Sequence, residues 1–151
     1  MFVVLSMSRR ASRVVDDKDG GVRIRAPHVH EELAEMDKVE TLIDRAMAAY
    51  SCGDTHALYA EFLDPNYKTA EFYKLDMGKL GRYVSRKEES KPNSYVPAPG
   101  PGPEIAEVLR TRYETVFQSK KVLMSVEVAI LADGTYRIKD LTIHYDYFNN
   151  R

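Results

Sequence analysis

The side chains of this 151-residue chain that could do chemistry are few: four histidines, one cysteine and a set of tyrosines and acids. His144 and Asp146 sit two positions apart near the carboxyl end, a spacing that places an imidazole and a carboxylate on one face of an extended strand, where a proton could move near neutral pH. Leu141, Ile143 and Tyr145 claim the apolar parity, so Thr142, His144 and Asp146 are expected on the opposite face. Tyr113 shares parity with Leu109 and Phe117 and is expected to point inward. There its hydroxyl could serve a ligand oxygen in the manner of an oxyanion hole, or simply be satisfied at the rim of the core. Asp140 lies where the apolar parity of the last strand shifts, which suits either a re-aimed base or a solvated turn residue. The pair His28 and His30 lacks a third ligand other than Glu31 or Glu32 and runs into a helix, so no metal site is assigned. His56 is isolated, and Cys52 has no histidine at a recognisable spacing. Gly100 and Gly102 are embedded among prolines instead of opening a helix, so no phosphate cradle is present and no cofactor is expected. Tyr136, Tyr145 and Tyr147 with Phe148 gather aromatic surface near the last strand, as at an interface or a pocket mouth.

The elements that would position these groups can be read from periodicity. From His30 onward Leu33, Met36, Val39, Leu42, Ile43, Met47 and Tyr50 recur at three- and four-residue steps, which predicts an amphipathic helix closed by Gly53. Asp54 caps a second, short helix through Leu63, and Asp64-Pro65-Asn66 breaks it. A third helix is expected over 69–80. After Gly81 the pattern becomes extended. Residues 82–89 are nearly all polar, which suits an edge strand. Residues 91–103 hold five of the seven prolines and read as a stiff connector with a short strand at 94–96. Strands are expected over 105–117 and 121–131, the second with Val122, Met124, Val126, Val128 and Ile130 in strict alternation. A turn at Ala132-Asp133-Gly134 leads into a last strand whose parity shift predicts a bulge at Lys139-Asp140. The sum is an α+β fold with the amino-terminal helices packed in the concave face of a curved, mainly antiparallel sheet.

Composition removes several classes of function. Lys plus Arg is 22 against 23 for Asp plus Glu, a net charge of -1, so no overall field favours nucleic acid. No run approaches a membrane span. Met1 to Leu5 is too short for a signal-peptide core, which gives a cytoplasmic default. Residues 1–29 read as a flexible arm ahead of one domain over 30–148, with Arg9, Arg10, Arg13, Lys18, Arg23 and Arg25 against Asp16, Asp17 and Asp19, which offset half of that charge, and with the pair Gly20-Gly21.

Three strings carry a family resemblance: Lys79-Leu80-Gly81-Arg82-Tyr83-Val84-Ser85-Arg86-Lys87, then Leu109-Arg110-Thr111-Arg112-Tyr113-Glu114-Thr115-Val116-Phe117, then Asp133-Gly134-Thr135-Tyr136-Arg137-Ile138. With the helix-then-strand order, they resemble an uncharacterised bacterial domain family within the nuclear transport factor 2-like superfamily, a cystatin-like cone of sheet and helices, over about residues 31–146. Tyr136 stands where that family commonly has tryptophan, in a chain without one. Many members look exported, and this chain shows no signal. The resemblance implies a homodimer formed through the outer face of the sheet and a ligand pocket inside the cone. The expected function is a non-catalytic module binding a small apolar or amphipathic molecule or a protein, with Tyr50, Tyr113, Tyr136, Asp140 and His144 as ligand-contact candidates. The alternative is a small cofactor-independent enzyme, an isomerase, dehydratase or hydrolase, using Tyr113 with Asp140 or His144.

Overall fold

The computed structural model of the chain describes residues 10–16, 22–24, 29–66 and 74–150. The first long element is helix α1, Val29–Ser51. It forms where the periodicity demands, and Val39, Leu42, Ile43, Ala46, Met47 and Tyr50 are its buried stripe. Its end is a Schellman turn: Gly53 takes φ 75°, Gly53 N–H donates to Tyr50 O at 3.0 Å and Asp54 N–H donates to Ala49 O at 3.0 Å. Asp54 then caps helix α2, Thr55–Ala60, by accepting from Ala57 N–H at 2.9 Å. One residue thus closes one helix and opens the next.

The third helix is shorter than its periodicity suggests. Helix α3 covers only Met77–Leu80, with Asp76 extended and capping it by accepting from Gly78 N–H. Lys74, Leu75 and Asp76 are not helical, and residues 69–73 of the expected helix lie outside the described residues. Within the segment read as an arm, β1 (Arg10–Asp16) and β2 (Val22–Ile24) pair antiparallel, Val14 opposite Ile24. This is regular structure where none was expected, built on β-branched residues flanking the glycine pair.

The main sheet holds five antiparallel strands: β3 (Tyr83–Glu88), β4 (Asn93–Tyr95), β5 (Ile105–Phe117), β6 (Lys121–Leu131) and β7 (Tyr136–His144). The order is β3-β5-β6-β7, with β4 also paired to β5. β3 and β4 therefore share one edge of the long strand β5, β3 against its carboxyl half and β4 against its amino half. The polar β3 is an edge strand, as its composition demands. On the opposite edge, Leu63 N–H donates to Ile138 O at 2.8 Å and Ile138 N–H donates to Glu61 O at 2.9 Å, which stitches the exit of α2 to β7.

The bulge lies where the parity shift places it. Glu127 pairs with Asp140 and the next residue, Val128, pairs with Ile138, so Lys139 is the extra residue. The bulge lets Ile138, Leu141 and Ile143 all face α1 despite their mixed parity. On this inner face, Tyr113, Phe117, Val122, Met124, Val126 and Val128 join them in one core with the stripe of α1, Leu58, Phe62 and Leu80.

Gly81 joins α3 to β3 at φ 72° and ψ -164°, a region open only to glycine, and a Cβ there would meet Gln118 Cβ at 2.9 Å. Gly81→Ala is expected to cost about 2 kcal/mol, measured by urea denaturation. A loss below about 0.5 kcal/mol would show that the junction relaxes freely.

Candidate functional site

A network of hydrogen-bonded polar side chains centred on a buried guanidinium lies where α1 crosses β3 and β5. Glu40 and Asp44 are one helical turn apart on the flank of α1, Arg86 and Tyr83 come from β3, and Tyr113 comes from the middle of β5. Arg86 is the centre, with its side chain 6% exposed. Its Nη1 donates to Asp44 Oδ1 at 2.8 Å and to the Tyr83 hydroxyl at 3.0 Å. Its Nη2 donates to Glu40 O at 3.2 Å and to Glu40 Oε1. Tyr113 donates its hydroxyl to Glu40 Oε2 at 2.7 Å. The guanidinium carbon lies 5.2 Å from the Tyr113 ring centroid and 6.0 Å from that of Tyr83.

Burial alone would disfavour the Arg86 charge, but the hydrogen bonds it donates to Glu40 and then to Asp44 outweigh it, so the guanidinium is held charged more firmly than usual. Burial first, and the bond to Glu40 second, push the Tyr113 phenol far above its ordinary range. Burial likewise pushes Tyr50 up to about 12, and its hydroxyl donates to Gly81 O at 2.7 Å. Both oxygens of Glu40 are engaged, one by Arg86 and one by Tyr113. The arrangement is a clamp between helix and sheet.

Of the residues singled out from sequence, Tyr50 and Tyr113 face the core, and Tyr136 is half-buried against it with Lys38 Nζ 5.4 Å from its ring centroid. Asp140 and His144 face the other way. His144 pairs with Leu123 and Asp140 with Glu127, both on the outer face, whereas Tyr113 pairs with Met124 on the inner one. The thickness of the sheet therefore separates Tyr113 from both. His144 Nε2 lies 3.0 Å from Ser125 Oγ, and Asp140 Oδ2 accepts from Thr142 Oγ1 at 3.3 Å. Burial, then Arg112, lowers the pKa of His144, against a smaller opposing pull from Asp140. β7 ends at His144, so Asp146 lies in the following turn and does not continue the strand parity expected of it.

Cys52 and His56 are exposed. His28 lies outside the described residues, and His30 lies within α1. Among the described residues no three His, Cys, Asp or Glu side chains are grouped to hold a metal ion, and no helix is long and apolar enough to cross a membrane.

The outer face carries cross-strand charge rows. Lys87 and Lys121 reach Glu114 Oε1 at 4.0 and 3.4 Å. Arg110 and Lys139 flank Glu127 at 3.1 and 3.5 Å, with the Tyr95 hydroxyl donating to the same carboxylate at 3.1 Å. Arg112 lies 3.6 Å from Glu89, which also accepts from the Tyr147 hydroxyl at 3.2 Å. The carboxylates are recessed and the cations stand out: Glu114 is 25% exposed against 76% for Lys87.

Arg86 and Glu40 are not among the residues that the sequence marks for chemistry. Glu40 borders the apolar stripe one residue after Val39, and Arg86 sits in a strand of polar residues, so neither carries a local signal. Comparison with protein-family models, with curated proteins and with solved structures finds no match for this chain.

Proposed function

We propose that this chain is a non-catalytic binding module of nuclear transport factor 2-like build, which pairs with a second copy through the outer face of its sheet and engages a protein partner. One observation carries the non-catalytic reading. Val39, Ile43, Ala46, Leu80, Val122, Met124, Val128, Ile138 and Ile143 have 0% exposure, so the space between α1 and the sheet is occupied by the chain's own side chains. A packed interior favours a protein-binding role over a small apolar ligand held inside. The enzyme reading loses support because Tyr113 faces the opposite side of the sheet from Asp140 and His144.

The family assignment is supported by the order of elements, with a long helix, two short ones and then an antiparallel sheet whose last strand carries a bulge. Pairing through the outer face is supported by its charge rows. Each bears both signs, so a copy related by a two-fold axis can set its cations over the recessed carboxylates of the first. Val108, Leu123 and Ala129 on that face are already buried, which points to a polar, exchangeable interface.

Size-exclusion chromatography with light scattering at about 100 μM is expected to give twice the chain mass of 17.2 kDa. Arg112→Glu is expected to shift the population toward monomer. A wild-type protein of single-chain mass would overturn the pairing. A hydrophobic acid that raises the melting temperature would instead favour a small-molecule ligand.

A further inference from the structure

We propose that the end of the sheet formed by α3, the β5–β6 turn and Tyr145 docks an acidic segment of a partner protein in which carboxylates alternate with apolar side chains. The proposal rests on the binding-module reading above and names the chemistry of the partner.

The geometry begins with a backbone zipper. Ser119 N–H donates to Leu80 O at 2.9 Å, Gln118 N–H donates to Arg82 O at 2.9 Å, and Arg82 N–H donates to Gln118 Oε1 at 2.9 Å. These bonds hold the α3–β3 junction against the β5–β6 turn, so that Lys79 and Arg82 of the first lie beside Lys120 and Lys121 of the second. Lys79 Nζ is 5.3 Å and Lys120 Nζ 5.8 Å from the centroid of one ring, that of Tyr145. The ring is fixed by its hydroxyl, which donates to Lys74 O at 2.6 Å. Lys121 Nζ lies 4.7 Å from the Phe148 centroid.

Charge here is left over. On the outer face Arg110, Arg112, Lys87 and Lys139 each reach a carboxylate, whereas Lys79, Arg82 and Lys120 make no ion pair among the described residues. Among the described residues the acids in the neighbourhood are Asp76, which is spent on capping α3, Glu114, which is shared by Lys87 and Lys121, and the exposed Asp146. Lys79 and Lys120 therefore meet at one ring with no ion pair to either among the described residues.

The patch also has an apolar component. Met77 in α3 is 39% exposed and Val84 in β3 is 57% exposed, two of the three large hydrophobic residues exposed in the described structure. Cations beside exposed aliphatic groups match a segment of acidic and apolar residues. A nucleic-acid backbone would leave Met77 and Val84 unused, and the Tyr145 and Phe148 rings, with ammonium groups against them, are poor platforms for base stacking.

The test is fluorescence anisotropy with a labelled peptide of alternating Glu and Leu residues, with polyglutamate and an oligothymidylate as competitors, at low and at physiological salt. The peptide is expected to bind more tightly than either competitor and to weaken with salt. The triple variant Lys79→Glu, Arg82→Glu and Lys120→Glu is expected to weaken it about tenfold or more, and Met77→Ser several-fold. Should the triple reversal perturb folding, seen by circular dichroism, the pair Lys79→Gln and Lys120→Gln serves in its place. Equal affinity in the neutralised variants, tighter binding of the oligonucleotide, or no peptide binding to the wild type would each overturn the proposal. Light scattering on the same samples separates the two readings, since a dimer that ignores the peptide sinks only the acidic partner.

Discussion

Replacing Phe117 with alanine is expected to lower the free energy of unfolding by about 4 kcal/mol, read from the shift of the urea midpoint. Phe117 closes β5 with 2% of its surface exposed. Its ring meets that of Tyr50 at 5.7 Å and 84° and that of Tyr83 at 6.0 Å and 76°, the edge-to-face arrangement that the ring quadrupoles favour. Deleting it removes two such contacts along with the buried area. The surroundings have little freedom to fill the gap. Tyr50 is tethered by its hydroxyl to Gly81 O, and the Tyr83 hydroxyl accepts from Arg86. A cavity whose walls are pinned keeps most of its cost. Small domains have roughly 5–15 kcal/mol of stability in total, so the variant is expected to be marginal at 37 °C. A loss below about 1 kcal/mol would mean that this end of the core is not packed as described.

Glu40→Ala is expected to cost about 3 kcal/mol, more than Arg86→Leu, although both break the same ion pair. The asymmetry follows from burial. With Glu40 gone, a guanidinium that is 6% exposed keeps only Asp44 as a charged partner, and the Tyr113 hydroxyl loses its acceptor. With Arg86 gone, Glu40 at 36% and Asp44 at 66% side-chain exposure can turn to water. The double variant is expected to be more stable than the sum of the single losses predicts, and a double-mutant cycle in urea measures the difference. If Arg86→Leu proves the more damaging, the guanidinium is contributing packing against the Tyr113 and Tyr83 rings beyond its charge, and the clamp is not chiefly electrostatic.

Most elements were legible because a period repeated over many residues announces them. α1 and β6 each bury a stripe long enough for the pattern to exceed chance, and the parity shift in β7 located its bulge at Lys139. The described third helix is shorter than the spacing of Phe72, Tyr73, Met77 and Leu80 implies, because the extended Asp76 confines it to a single turn. The pair β1 and β2 was missed because strands this short carry too few alternations to stand out from a charged tail. The candidate site was the least legible part. The parity of Tyr113 turns it inward, yet its partners Glu40 and Arg86 are 73 and 27 positions away and meet it only because α1 packs across β3 and β5.

The α+β class, the amphipathic helix, the three long strands and the sides on which Tyr113 and His144 lie are all readable from residue order, since each follows from spacing within one segment. That the interior is filled, that Arg86 is buried among two carboxylates and two rings, and that Lys79 and Lys120 meet over the Tyr145 ring follow only from how distant segments pack. Those outcomes depend on which segments cross and at what register. Local sequence carries no record of register between distant strands, because side-chain orientation repeats every two residues while pairing is set by the whole core.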